Sequence, residues 1–371
     1  MPLGGRCRPG RRGGWFRMTT ALGLGLTHYP LLAGTDANMA NLLRWTLTDP
    51  DIPEAAKDVS SWPQRMREEW GEDGGESAAA GHRAALVAGL AQCRKALDEF
   101  QPDLLVVWGD DQFENFREEV VPPFCVLAYD DLELHPFELQ IERGLPNAWG
   151  MPDETTFVLR GDAGRARALA DGLINDGFDM AYSYRKRAGA RFPHAILNTQ
   201  IFLDYDNAGC RFPYPILPIT VNCYGQHAIA RRGGLARFAE IADERLDPVG
   251  PTPQRCLALG AAVARNLRES GLRVAYVASS SWSHAFLNDK DWHLRPDGPA
   301  DQVFYDALVS GDRRPWQEAT GRQIVEAGQH EMLNWFCLLG AVDELGLGPT
   351  WSDFVTTDVF NSNKAFAVYT D

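Results

Sequence analysis

Three polar runs in the 371-residue chain each follow a run of apolar residues: Thr27-His28-Tyr29-Pro30, Gly109-Asp110-Asp111-Gln112, and Ser279-Ser280-Ser281-Trp282-Ser283-His284. They offer imidazoles, carboxylates and an amide, the groups from which metal sites and acid/base pairs are built. In open α/β sheets ligands bind beyond the carboxyl ends of strands, so His28, the Asp111/Gln112 pair and His284 can converge on one crevice. The plainer alternative is that each polar residue caps its own strand or helix. From these runs alone both readings stay open.

The elements that would position these groups alternate along the chain. Leu22 to Leu26 is a short apolar strand, Gly81 to Phe100 has helical spacing, and Leu104 to Trp108 follows as a buried strand after Pro102. Asp162 to Asp176 reads as a helix and Phe178 to Tyr182 as a strand. Pro215 to Cys223 reads as a strand with its proline at an edge or bulge. Thr252, followed by Pro253, caps a helix running to Ser270, and Leu272 to Ala278 is the next strand. Arg322 to Leu345 reads as one long final helix, and the polar stretch 48–76 as a lid or an insertion. The alternation predicts an α/β layered sandwich with a mixed, largely parallel central sheet and helices on both faces. Residues 18–371 are expected to form a single domain, preceded by a disordered, arginine-rich extension at 1–17.

Composition narrows the functional classes. A net charge of −14 argues against a nucleic-acid partner. No apolar run reaches the roughly 18–20 residues of a membrane span. Seven scattered cysteines without a CxxC pair point to reduced thiols and a cytoplasmic protein. No phosphate loop, dinucleotide fingerprint or nucleophile elbow is present; Gly23 and Gly25 lie inside a strand. A homodimer is the default expectation for an enzyme of this size. Among the remaining histidines, His82 reads as a solvated residue at a helix start, His135 as a loop residue, His227 as a neighbour of the crevice and His293 as a surface residue.

Five ordered segments resemble the class III extradiol ring-cleavage dioxygenases of the protocatechuate 4,5-dioxygenase type. They are Thr27-His28-Tyr29-Pro30; Gly109 to Phe116 with Val121 to Phe124; Phe192-Pro193-His194-Ala195 with Ile216 to Asn222; Ser281-Trp282-Ser283-His284; and Glu331 to Trp335 with Gly340-Ala341. The resemblance implies a mononuclear non-heme Fe(II) enzyme that opens a catecholic or related aromatic ring with O₂. It implies His28 and Glu331 as metal ligands, His284 as acid/base, and His194 as a group bonding an oxygen near the metal. Asp111 and Asn222 are expected to contact the substrate. Leu333, Phe336, Cys337 and Leu339 surround Glu331 with apolar surface, which predicts its burial.

The departure is Gln112, which stands where the family carries a second ligand histidine. An amide oxygen is a neutral, hard, weak donor. Three outcomes stay open: Gln112 completes the site, Asp111 turns in to give one histidine and two carboxylates, or the site holds no catalytic metal. The alternative function is a divergent member without oxygenase chemistry, acting as a small-molecule binding subunit or an enzyme using another metal.

Overall fold

The structure, a computed structural model, describes residues 21–242 and 244–371. The extension expected at 1–17 lies outside the described residues. Among the described residues there are ten strands: β1 (Ala21–Leu26), β2 (Leu104–Asp110), β3 (Phe124–Leu127), β4 (Leu132–Leu134), β5 (Phe157–Leu159), β6 (Ala181–Ser183), β7 (Ile216–Val221), β8 (Val274–Ser279), β9 (Gly348–Val355) and β10 (Lys364–Thr370). Eight of them form one sheet in the order β6-β3-β7-β2-β8-β1-β10-β9, and β4 pairs with β5 separately. The four central strands β7, β2, β8 and β1 are parallel; β3 runs antiparallel to β7, and β10 antiparallel to both β1 and β9. The expected mixed, largely parallel α/β sandwich is the observed fold.

Strand alternation builds a core on each face. In β2, Leu104, Val106 and Trp108 point to one core, while Leu105 and Val107 point to the other. Helices α1 (Glu76–Phe100) and α3 (His194–Leu203) cover the second face. Helices α2 (Ala163–Asn175), α4 (Pro253–Arg268) and α5 (Leu333–Leu345) cover the first. Thr252 caps α4 by accepting from the Arg255 N–H, with Pro253 in the first turn, as the sequence predicts. Helix α5 lies hard against β1: a Cβ at Gly25 would fall 2.0 Å from the Trp335 ring. Gly25 is there because a helix must pass close to the strand.

Several elements differ from the sequence reading. The long final helix is broken into a short helix Gly321–Glu326, a 3-10 turn His330–Met332, and α5. The break falls at Gly328, whose φ of +65° is left-handed. The strand holding Pro218 is internal, but β3 pairs only with Ile219 to Val221, so the residue lacking an N–H sits one position beyond that ladder. The stretch 48–76 carries its own short helices, Glu54–Lys57 and Gln64–Trp70. Strands β9 and β10 were not expected at all. They extend the sheet past β1 by non-local pairing, which leaves a weak signal in sequence.

Candidate active site

The carboxyl ends of β1, β8 and β2 are neighbours because these strands are adjacent and parallel. His28 stands two residues beyond β1, and Asp110 is the last residue of β2. The turn Ser280–His284 leaves β8 and is tied down by its own serines, with Ser283 Oγ donating to the Ala327 carbonyl. The His284 N–H donates to the Gly328 carbonyl at 2.9 Å. Glu331 enters from the other side, in the 3-10 turn ahead of α5 rather than on the helix itself.

His28, Asp110 and Glu331 are all buried, and each offers one ligand atom such that the three atoms lie within 4.8 Å of one another. His28 Nε2 is 3.3 Å from Glu331 Oε2 and 3.8 Å from Asp110 Oδ1. Gln112 joins the group: its Nε2 donates to Asp110 Oδ2 and to Glu331 Oε1, both at 3.0 Å. Glu331 Oε1 also accepts from the Tyr224 hydroxyl at 2.8 Å and lies 3.2 Å from His284 Nε2, while Oε2 accepts from the Ser281 N–H. Asn334, in the first turn of α5, donates to Asp110 Oδ1.

The cluster is short of positive charge. Burial works against a charged His28, but Glu331 and Asp110 outweigh it and push His28 up to about 9. Burial, then the Glu331 charge, raises Asp110 to about 6. Burial would raise Glu331 too, yet His284 and His28 outweigh it and hold Glu331 well below the usual carboxylate range. Burial lowers His284 despite its contact with Glu331, so this imidazole stays neutral at pH 7. With His28 protonated and both carboxylates ionised, one negative charge remains in a buried site; without the His28 proton there are two. Isolated buried charge is costly, and a divalent cation held by an imidazole nitrogen and two carboxylate oxygens would balance it. The donor set thus fits a metal. A half-turn about its last side-chain torsion would give Gln112's oxygen the place its nitrogen now holds.

His194 opens α3 and packs edge-on against His28, ring centroids 5.0 Å apart. Its backbone N–H donates to Glu114 Oε2 at 2.9 Å, and its Nδ1 lies 3.1 Å from the same oxygen. Glu114 is held low as a carboxylate because its contacts with His194 outweigh burial. Asp111 does not turn into the cluster. Its carboxylate accepts the N–H groups of Glu114, Asn115 and Phe116, organising the loop after β2. Burial and Glu114 push it up to about 7. Of the two carboxylates at the end of β2 it is Asp110, not Asp111, that turns into the cluster. Asn222 accepts from the Gly225 N–H and shares with Asp111 a recess of about 20 Å³, lined also by Phe113, Phe116 and Ile229.

The structure therefore brings together His28, Gln112, Glu331 and His284, with His194 beside them, and sets Asp111 and Asn222 to one side. Sequence reading missed Asp110, Tyr224 and Glu114. Asp110 shares the parity of Val106 and Trp108, which face the α5 side, but only the structure shows that Glu331 lies on that side. Tyr224 and Glu114 had no local signal. Other histidines also moved: His82 is buried in mid-helix against Lys364, and His293 is buried against Asp289. His227 is buried next to His330, close to the cluster as expected, and His135 is exposed.

No protein-family model matches the chain. Curated relatives do. The chain is 26% identical over 191 residues to the 2,3-dihydroxyphenylpropionate/2,3-dihydroxicinnamic acid 1,2-dioxygenase 2 of Pseudomonas putida, covering 52% of this chain and 46% of that protein. It is 28% identical over 210 residues to the 2,3-dihydroxyphenylpropionate/2,3-dihydroxicinnamic acid 1,2-dioxygenase of Comamonas testosteroni, covering 56% and 50%. To the protein of the same name from Cupriavidus necator it is 26% identical over 280 residues, covering 69% and 81%. The chain spans about half the length of the first two relatives and four-fifths of the third. These similarities support the extradiol dioxygenase superfamily; they do not reach the protocatechuate subtype or the identity of residue 112. Among the described residues no helix is long and apolar enough to cross a membrane.

Proposed function

We propose that the protein is an extradiol-type ring-cleaving dioxygenase for a catecholic aromatic substrate, using O₂ and a divalent metal, with Fe(II) the favoured ion. The observation that carries this reading is the buried, net-anionic group of His28, Asp110 and Glu331 at the ends of adjacent parallel strands. The relatives point to the same chemistry, and their printed substrates make 2,3-dihydroxyphenyl acids the first compounds to test.

His28, Asp110 and Glu331 would hold the metal, with Gln112 adjoining through its amide. A bound Fe(II) would supply Lewis acidity toward the catechol oxygens and a route for electron density to O₂. The protein's part is charge and proton placement. Tyr224 and the Ser281 N–H fix Glu331 in one orientation. His284, kept neutral by burial, is placed to take a phenolic proton and return it. Asp111 and Asn222 enter through the recess they line. That recess holds about 20 Å³, room for roughly one water. An aromatic ring therefore needs the covering stretch at 225–233 to shift; Gly233 packs directly on the backbone of Gln112. The reading takes the protein as a soluble single-domain enzyme of the cytoplasm.

One observation favours a second reading. Gln112 presents its NH₂ to both carboxylates, a neutral bridge in the place of a ligand histidine. That arrangement suits a weaker, oxygen-rich site for another divalent ion, or a binding protein. Metal analysis of anaerobically purified protein, with O₂ uptake on a panel of catechols, separates the two. About one iron per chain and uptake on a catechol support the dioxygenase. Stoichiometric binding of another metal without uptake supports the alternative.

A further inference from the structure

The His194 ring meets a carboxylate at one nitrogen and no hydrogen-bond partner at the other. Its Nδ1 lies 3.1 Å from Glu114 Oε2, and the same oxygen accepts the His194 backbone N–H at 2.9 Å. Its Nε2 is buried and has no partner. An ionised carboxylate only accepts hydrogen bonds, so the ring nitrogen facing it must carry the proton. In a neutral imidazole the other nitrogen is then a bare acceptor. A buried acceptor left unmet is unfavourable unless a ligand or water supplies the missing donor.

We propose that Glu114 is a positioning residue that locks His194 in the Nδ1–H form, leaving Nε2 to accept a hydrogen bond from a hydroxyl of the bound substrate. Two contacts hold Glu114 to this task, and a third sets where His194 points. Asp111 gathers the N–H groups of residues 114, 115 and 116, fixing the loop from which Glu114 projects. The bond from the His194 backbone fixes the start of α3 to the same oxygen. The His194 ring abuts His28, so a hydroxyl reaching Nε2 is a neighbour of the cluster. A histidine backed by a carboxylate in this way has its tautomer and ring plane set before the ligand arrives. Asp111 thus serves the substrate through the loop it organises. The recognised chemistry is an O–H donor, so a catechol with one hydroxyl methylated at this position loses the contact.

The substrate part of this inference rests on the dioxygenase reading; the tautomer part does not, and the two are tested separately. Long-range ¹H–¹⁵N spectra of histidine-labelled protein report which ring nitrogen carries the proton, with the His194 signals identified by their loss in His194→Gln. The native protein is expected to show Nδ1–H at His194. Glu114→Gln, which keeps an acceptor oxygen, should retain that form, and Glu114→Ala should shift it to Nε2–H. An Nε2–H tautomer in the native protein, or no change in a folded Glu114→Ala, overturns the proposal; if that variant does not fold, the native and Glu114→Gln spectra still decide. In turnover, Glu114→Ala is expected to lose about 10–100-fold in kcat with KM changed much less, and Glu114→Gln to recover part of it. A loss confined to thermal stability, with kcat intact, overturns the substrate contact. If no catechol is turned over by the native protein, the dioxygenase reading fails while the spectra still judge the tautomer.

Discussion

Two buried carboxylate clusters lie within a few residues of each other and are satisfied in opposite ways. Asp301, fully buried, receives the Ser283 N–H, the Gln329 amide at 2.7 Å and the Asn363 amide at 2.8 Å. All its donors are neutral, and the nearest charge acting on it is another acid, Asp297. Burial therefore pushes it up to about 7. Asp110 and Glu331 instead share one amide and one protonated histidine, and each carboxylate's charge works on the other. The Asp301 cluster is closed: it ties the His284 turn, the segment before Glu331 and the loop before β10 into one support. The Asp110–Glu331 cluster is left net anionic, a charge that a bound cation would balance. A buried acid is thus a strut or a site according to whether its neighbours already match it.

That contrast can be broken by removing each acid. Glu331→Gln should take the open cluster from about one bound divalent ion per chain to almost none, with turnover down by more than the roughly 100-fold typical of outer partners. Metal analysis and O₂ uptake check this, and retained stoichiometric metal would sink the assignment of Glu331. Asp301→Ala should act first on stability, since it strands three buried donors. A loss of about 3–5 kcal/mol is expected, read from the denaturant midpoint.

Titration sharpens the comparison. An acid raised to about 7 in the folded protein binds a proton that the unfolded chain has released above its ordinary value near 3.8. Asp301 therefore contributes stability that is fully present below about pH 4 and lost as pH rises toward 7. Its slope is at most about 1.4 kcal/mol per pH unit. Asp301→Asn should flatten that part of the stability–pH curve. The open cluster behaves oppositely toward metal: His28, raised to about 9, must give up its proton to bind an ion. Near pH 7.5, about one proton should be released per metal bound, measurable by calorimetry in buffers of different ionisation enthalpy. No release would mean that His28 is not a ligand.

The smallest expected change is at Gln112. Gln112→His replaces a weak neutral donor with an imidazole and should tighten Fe(II) by about tenfold or more. Unchanged affinity would show that this side chain does not occupy a ligand position.

Much of this was legible in sequence. The central strands, the Thr252–Pro253 helix start, and the grouping of His28, Gln112, His284 and Glu331 followed from short apolar runs ending in polar residues and from five ordered motifs. Local pattern suffices there because strand ends in a parallel sheet are brought together by topology alone. Choosing between Asp110 and Asp111 was beyond that pattern. At the end of a strand, successive side chains point to opposite faces, so one position in register decides which carboxylate meets Glu331 and which turns back to cap its own loop. The same holds for Tyr224 and Glu114, whose partners lie 107 and 80 residues away. The sequence by itself determined the kinds of group and the strand ends that carry them. Only the tertiary structure decided which of them share a charge, because burial and electrostatic coupling depend on distances that no local pattern encodes.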